Sequence, residues 1–330
     1  EYMFNGASNF NQPLDEWDTS SVIDMKSMFH GASAFNQPLG NWDTSKVTEM
    51  NDMFRSATVF DQNLNCWNVT DIGSQPSNWS SPSSIDRPGW GTEGYCGDYT
   101  AEMITEWNTA LGDGSNSITL PLESSGNYYF IVDWGDGTKG IVNAYNDGSI
   151  SHTYNSSGIY EVTLYGEEIN GINMYDGIMN SSDRQKIINI TQWGNASLGN
   201  SGSYFRGASN LQISAIDAPN LTGTTDFSNA FRGATNFNSD INHWDMSQVT
   251  TMQRMFYNAD AFNQPLSNWD TSQVRSMQEM FRGANNYNGS INNFDLSSIN
   301  GNGITEMFRS ASSFNQPLNN WNTSRITNME

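Results

Sequence analysis

Two cysteines and three histidines are all that 330 residues offer of thiolate and imidazole metal ligands and of neutral-pH acid–base groups. Cys66 and Cys96 allow one disulfide at most, which excludes a disulfide-dense scaffold. His30, His152 and His243 lie far apart in the chain, leaving little for a histidine-rich metal or acid–base centre. Positive charge is scarce: 14 Lys and Arg stand against 35 Asp and Glu, a net charge of −21. Nucleic-acid binding needs clustered cations for the phosphates, and this composition argues against it. An anionic membrane surface would repel the chain. No apolar run approaches the ~20 residues that span a bilayer, so direct membrane insertion is not expected. There is no GxSxG, no HExxH, no P-loop and no GxGxxG placed after a strand. The expectation is a protein that is not an enzyme.

Aromatic residues are abundant, with 11 Trp, 13 Tyr and 17 Phe, which argues against disorder. They recur periodically. Phe4 opens FNGASNFNQPLDEWDTSSVIDMKSM, and Phe29 opens FHGASAFNQPLGNWDTSKVTEMNDM 25 residues later. Phe54 opens a shorter copy, and the pattern resumes at Phe231, Phe256, Phe281 and Phe308, with a weak copy at Phe205. A unit this short cannot bury its apolar side alone, so neighbouring copies must stack. Within a copy, Val22, Met25, Met28 and Phe29 have helix-like spacing, and Gly31 stands where a helix would end. Residues 10–19, with Pro13, Leu14 and Trp17, read as an extended segment stacked in register with its equivalents. The expected fold class is α+β and β-rich: two leucine-rich-repeat-like parallel solenoid arrays of 25-residue coils flanking an immunoglobulin-like β-sandwich. Trp17, Trp42, Trp67, Trp244, Trp269, Phe294 and Trp321 are the expected structural core.

The motif MF-x-x-A-x-x-FNQPL-x-x-WDTS-x-V-x-x-M resembles the BspA-type leucine-rich repeats of bacterial surface proteins and lipoproteins. The resemblance implies an extracellular location and an adhesin-like, non-enzymatic role. Residues 118–166 are similar to a PKD domain, an immunoglobulin-like sandwich of extracellular proteins. Val132-Asp133-Trp134-Gly135-Asp136-Gly137-Thr138, His152-Thr153-Tyr154 and Gly158-Ile159-Tyr160-Glu161-Val162 carry that likeness. The expected organisation is repeats over 1–70, a capping or linking segment over 71–110 with a helix-like turn at 101–110, the sandwich over 111–168, degenerate coils over 169–230, and repeats over 231–330.

The sharpest recurring polar feature is the Asp that follows the core aromatic: Asp18, Asp43, Asp245, Asp270 and Asp295. A Ca²⁺ ladder is one reading, because hard cations favour carboxylate oxygens. An Asx turn is the other, and Asn68 and Asn322, which replace the Asp in two copies, favour it. Asp133 and Asp136 are a second candidate Ca²⁺ pair, read against a hairpin turn at Gly135–Gly137; with no His, Cys or Ser motif beside them, catalysis there is rejected. The Asn-Gln-Pro-Leu segments at Asn11, Asn36, Asn263 and Asn315 suit a bend, a stacked amide ladder or a polar ligand face. A Cys66–Cys96 disulfide would pin the non-repetitive segment between them, worth ~3–4 kcal/mol on the chain-entropy account; two buried thiols are the alternative.

Both ends fall inside a copy. Met329-Glu330 followed by Glu1-Tyr2-Met3-Phe4 would restore the Met-x-x-Met-Phe spacing, so a unit of this kind is expected to recur along a longer chain. Two functions follow. One is a segment of a long surface adhesin or fibre, partnered by copies of itself or by neighbouring segments. The other is a binding module for glycans or proteins of a host-cell or prey surface, for which Trp79, Trp90, Trp107 and Tyr145 are the residues to check.

Overall fold

The backbone hydrogen bonds of one copy show why it forms neither a helix nor a regular strand. From Met25 onward, alternate N–H groups leave the copy: Met25, Ser27, Phe29 and Gly31 donate to the carbonyls of Glu49, Asn51, Met53 and Arg55, at 2.9, 3.0, 2.9 and 2.7 Å. The intervening N–H groups of Met28, His30 and Ala32 close tight turns on residues three positions back. An α-helix would use all of them internally. Ser27 interrupts any helix, since its φ of 54° is left-handed, as are those of Asp52, Asn229, Arg254 and Glu279 at the same place in other copies. Residues 10–19 form no regular strand either: Pro13 has no N–H to give, and the link to the next copy runs through a side chain, the Asn11 amide oxygen accepting the Asn36 N–H at 2.9 Å.

The structure, a computed structural model, describes residues 1–62, 64, 67–79, 102–175, 179, 181–299 and 301–330. The chain divides into two units, Glu1–Asp98 and Tyr99–Glu330. In the first, equivalent aromatics form columns: Phe4–Phe29–Phe54 at 5.4 and 5.6 Å between ring centres, Phe10–Phe35–Phe60 at 5.8 and 5.8 Å, and Trp17–Trp42–Trp67 at 6.3 and 6.3 Å. Each inner indole also donates to the copy before it, Trp42 Nε1 to the Leu14 carbonyl (2.8 Å) and Trp67 Nε1 to that of Leu39 (2.9 Å). The spacing repeats in the second unit along Phe205–Phe231–Phe256–Phe281–Phe308. Trp42, Trp67, Trp244, Trp269 and Phe294 are buried; Trp17 is 39 % exposed and Trp321 half-buried.

The second unit begins with β1 (Glu102–Asn108), β2 (Ser117–Thr119), β3 (Leu122–Asp133), β4 (Lys139–Val142), β5 (Ser151–Thr153) and β6 (Ile159–Ile172), followed by β7 (Ile187–Gln192) and β8 (Gln212–Ile213). Six strands form one mixed sheet in the order β4-β3-β6-β1-β7-β8, and β2 pairs with β5 in a small second sheet. All pairings are antiparallel except β7 with β8. That parallel pair is where the sheet passes into the stacked copies, and bridges Asn170–Ser197–Asn220 continue the same direction. The sheet and the copies after it share one hydrophobic core. Lys186, fully buried at the head of β7, ties this junction together. Its ammonium lies 2.7 Å from Asp183, 2.9 Å from Asp113 and 2.7 Å from the Ser117 carbonyl.

Two expectations are corrected. The α+β reading, with leucine-rich-repeat-like solenoid arrays built from a strand and a helix per copy, does not hold. Among the described residues there is no α-helix, only the 3-10 turns Gly148–Ile150 and Asp183–Gln185, and the regular structure is nearly all β with a sandwich-like sheet. Residues 101–110 are not helix-like where described: Glu102–Asn108 is a central strand that buries Met103, Thr105 and Trp107 on one face.

Candidate functional site

Every Asp of the repeated set caps its own turn. The N–H two residues on donates to a carboxylate oxygen of Asp18 (3.0 Å), Asp43 (2.9 Å), Asp245 (3.0 Å), Asp270 (2.9 Å) and Asp295 (2.8 Å). Asn68 and Asn322 accept in the same way. Hydrogen bonds from Ser20, Ser45 and Ser247 hold the carboxyls of Asp18, Asp43 and Asp245 below the usual carboxylate range. The amides of the Asn-Gln-Pro-Leu rows are engaged too. Asn36 accepts the Asp61 N–H, and Asn263 that of Asn288, at 2.9 and 2.7 Å.

At one end of the sheet, Asp133 accepts the Gly135 N–H (3.0 Å) and lies 3.5 Å from Lys139 Nζ. Asp136 accepts the Thr138 N–H (3.0 Å) and hydroxyl (2.6 Å), and its other oxygen lies 2.8 Å from His152 Nε2. Burial raises the Asp136 carboxyl, but the bonds from Thr138 and His152 outweigh it and leave it lowered. Sequence reasoning saw no histidine beside Asp136; β5, which pairs with β2 in the small second sheet, brings one from 16 residues away to the β3–β4 turn. His152 stacks on Trp134 at 5.2 Å and makes a perpendicular ring contact with Tyr154 at 4.5 Å. Gly135 to Gly140 do have GxGxxG spacing after β3, but they turn directly into β4 and open no helix that could cradle a phosphate. No group of three or more His, Cys, Asp or Glu side chains among the described residues is placed to hold a metal ion.

Sequence reasoning missed a cleft of about 530 Å³ beside the junction of β3, β6 and the first copies of the second unit. Exposed amides of Asn127, Asn170, Asn195, Asn200 and Asn220 line it, with Glu123 beneath. Glu123 is 6 % exposed; Ser125 donates to Oε1 at 2.5 Å, while Oε2 is buried and has no hydrogen-bond partner. The Tyr128 hydroxyl accepts the Glu123 N–H at 2.7 Å and donates to the Gly171 carbonyl at 2.7 Å, fixing the strand ends around the carboxylate. Gly199 is required here: its φ is +76°, and a Cβ would stand 2.4 Å from Glu123 Oε2. A carboxylate oxygen without a donor, surrounded by amides, suits a ligand that brings hydroxyl or ammonium hydrogens. Nothing in the one-dimensional pattern marks it, because Glu123 and Asn200 are 77 positions apart.

Of the aromatics singled out for recognition, Trp79 and Trp107 are buried and Tyr145 is half-buried against the core. Trp90, Cys66 and Cys96 lie outside the described residues, and with them the Cys66–Cys96 disulfide. A family model described as Mycoplasma protein of unknown function, DUF285, matches residues 1–88, 173–294 and 265–330. Those stretches hold the repeat copies, and β1 to β6 fall between them. No curated protein and no solved structure matches the chain.

Proposed function

The chain belongs to the family described as Mycoplasma protein of unknown function, DUF285, whose description assigns no activity, and we propose that it serves as a non-catalytic, rigid repetitive scaffold of an extracellular surface protein, used for attachment or self-assembly. The observation that carries this reading is how the repeated polar side chains are used. The Asp of each copy caps its own turn, and the Asn amides bond to the next copy, so the recurrent chemistry is consumed in holding the stack. Backbone bonds and ring columns run the same way, giving each copy a matching neighbour to grip. Partners of this scaffold would be copies of itself or neighbouring segments of the same protein. Antibodies against the chain should label unpermeabilised cells that produce it, and removing it should reduce their attachment. Labelling that requires permeabilisation would sink the proposal.

A second reading has a specific observation of its own, the Glu123 cleft. A hydroxyl-rich ligand such as a surface glycan would supply donors to Oε2 and to the amides around it. A glycan array probed with the intact chain and with Glu123→Gln tests it. Binding by the first and not the second supports a binding module, and no binding by either rejects it.

A further inference from the structure

The residue after the opening Phe of each copy forms a row along the second unit: Arg206, Arg232, Tyr257, Arg282 and Arg309. Backbone bonds keep it in register, with Gly207 N–H donating to the Arg232 carbonyl and Gly233 N–H to that of Tyr257, both at 2.8 Å. The side chain three residues upstream, in the same copy and in the next, sets each guanidinium's company, and Arg282 pairs with Glu306 of the following copy as well. Glu279 pairs with Arg282 at 3.0 Å, Glu306 with Arg309 at 2.7 Å, and Asp52 with Arg55 in the first unit at 3.3 Å. At Arg206 and Arg232 that position holds Ser203 and Asn229. Asn229 offers Arg232 only a neutral amide oxygen at 3.2 Å. No carboxylate among the described residues is within ion-pair distance of Arg206, Arg232 or Arg184, which joins them from the Asp183–Gln185 turn.

These arginines share an open cleft of about 230 Å³ with Tyr175 and Tyr257. Arg206 lies over the Tyr175 ring at 3.5 Å and Arg184 at 4.9 Å, while Arg232 lies over Tyr257 at 4.8 Å. The rings hold the flat faces of the guanidiniums and leave N–H edges for a ligand. Arg184 Nε is buried and unpartnered. Burial, then the like charges of Arg232 and Arg184, lower the Arg206 pKa from its ordinary value. Such crowding is costly without a counter-charge. In a chain of net charge −21, the same repeat position supplies a carboxylate elsewhere and withholds it here.

We propose that Arg184, Arg206 and Arg232 form an anion site that takes a doubly charged tetrahedral oxyanion, a sulfate or phosphate group. Guanidinium forks match such oxygens with paired charge-assisted hydrogen bonds. A dianion offsets more of three clustered positive charges than a single carboxylate does. The group can come as a free ion or on a polymer, and the ligand arms of the test separate these sources.

The test is calorimetric titration of the intact chain with sodium sulfate, inorganic phosphate and sodium acetate, at an ionic strength fixed with chloride. Saturable binding of sulfate and phosphate, about tenfold tighter than acetate, is expected. Asn229→Glu should weaken sulfate binding about tenfold by occupying Arg232 as Glu279 occupies Arg282. The backbone accepts it, because Glu279 has a φ of 55° where Asn229 has 59°. Arg206→Gln should weaken binding as much, and Arg309→Gln, which removes an already paired guanidinium, should leave it unchanged. Sulfate binding no tighter than acetate, or Asn229→Glu and Arg206→Gln binding as the parent does, would overturn the site. A sulfated oligosaccharide that binds tighter per sulfate than the free ion, with its desulfated form silent, assigns the group to a polymer; equal affinity per sulfate assigns it to the free ion.

Discussion

At the residue scale, the same side chains are cheap in one copy and costly in another, according to what they touch. Asp245 accepts the Ser247 N–H, a task that an amide oxygen performs equally well at Asn68 and Asn322. Asp245→Asn should therefore keep most of the parent's urea midpoint, losing only what the lowered carboxyl pKa contributes, while Asp245→Ala loses the cap itself and lowers it further. Equal losses in both variants would mean that the charge matters, as a Ca²⁺ ladder requires. Lys186 stands at the other extreme, with a fully buried side chain against Asp183, itself 7 % exposed. Removing one partner leaves the other buried and uncompensated, so Lys186→Ala should cost about 3–5 kcal/mol in urea unfolding. The pH dependence has a definite sign on each side. Burial lowers the Lys186 pKa, but Asp183 and Asp113 more than offset it, so its folded value is raised. Its contribution is present below the ordinary lysine pKa and is lost as pH rises through the raised value. The Asp113 carboxyl is held well below its ordinary value, chiefly by Lys186, so its contribution is present above that ordinary value and lost as pH falls through the lowered one. Melting temperature followed across pH should fall at both limits, and Lys186→Met should flatten both.

At the element scale, the unit of stability is the contact between copies. Trp42 is 2 % exposed, stacked between Trp17 and Trp67, and bonded to the Leu14 carbonyl. Trp42→Ala should cost about 3–5 kcal/mol, measured by denaturant unfolding, and the 39 % exposed Trp17 much less. The period of 25, the core aromatics and the Asp turn were legible because each depends on residues close in sequence or identical between copies. The helix was misread for a physical reason: Met25, Met28 and Phe29 have 3.6-residue spacing, but left-handed Ser27 breaks the run and alternate N–H groups bond to the next copy. Glu102–Asn108 was misread because its alternation of Met103, Thr105 and Trp107 is short, and its two partner strands begin more than 50 residues later.

At the scale of the whole molecule, the sheet and the copies that follow it are one folding unit. Trp107, Leu164, Trp193 and Phe231 lie in one continuous core, and β7 with β8 belongs to both regions. Residues 99–330 produced alone should therefore melt in one cooperative transition, followed by circular dichroism and tryptophan fluorescence together; two separated transitions would contradict a shared core. Net charge illustrates how far composition reaches. A balance of −21 describes the sum, yet among the described residues Arg184, Arg206 and Arg232 share one cleft without an ion pair, and Ser203 and Asn229 stand upstream of two of them where Glu279 and Glu306 stand in later copies. The sequence by itself determined the repeat, its aromatic columns and its Asx turns, since stacking identical copies turns a one-dimensional period into contacts between like residues. Only the tertiary structure decided the rest. The meeting of His152 on the small second sheet with Asp136 in the β3–β4 turn, the burial of Glu123 under Gly199, and the meeting of Arg184 with Arg206 and Arg232 all join residues distant in the chain and unlike in sequence. Their proximity follows from how the copies pack and the sheet pairs, which no local period encodes.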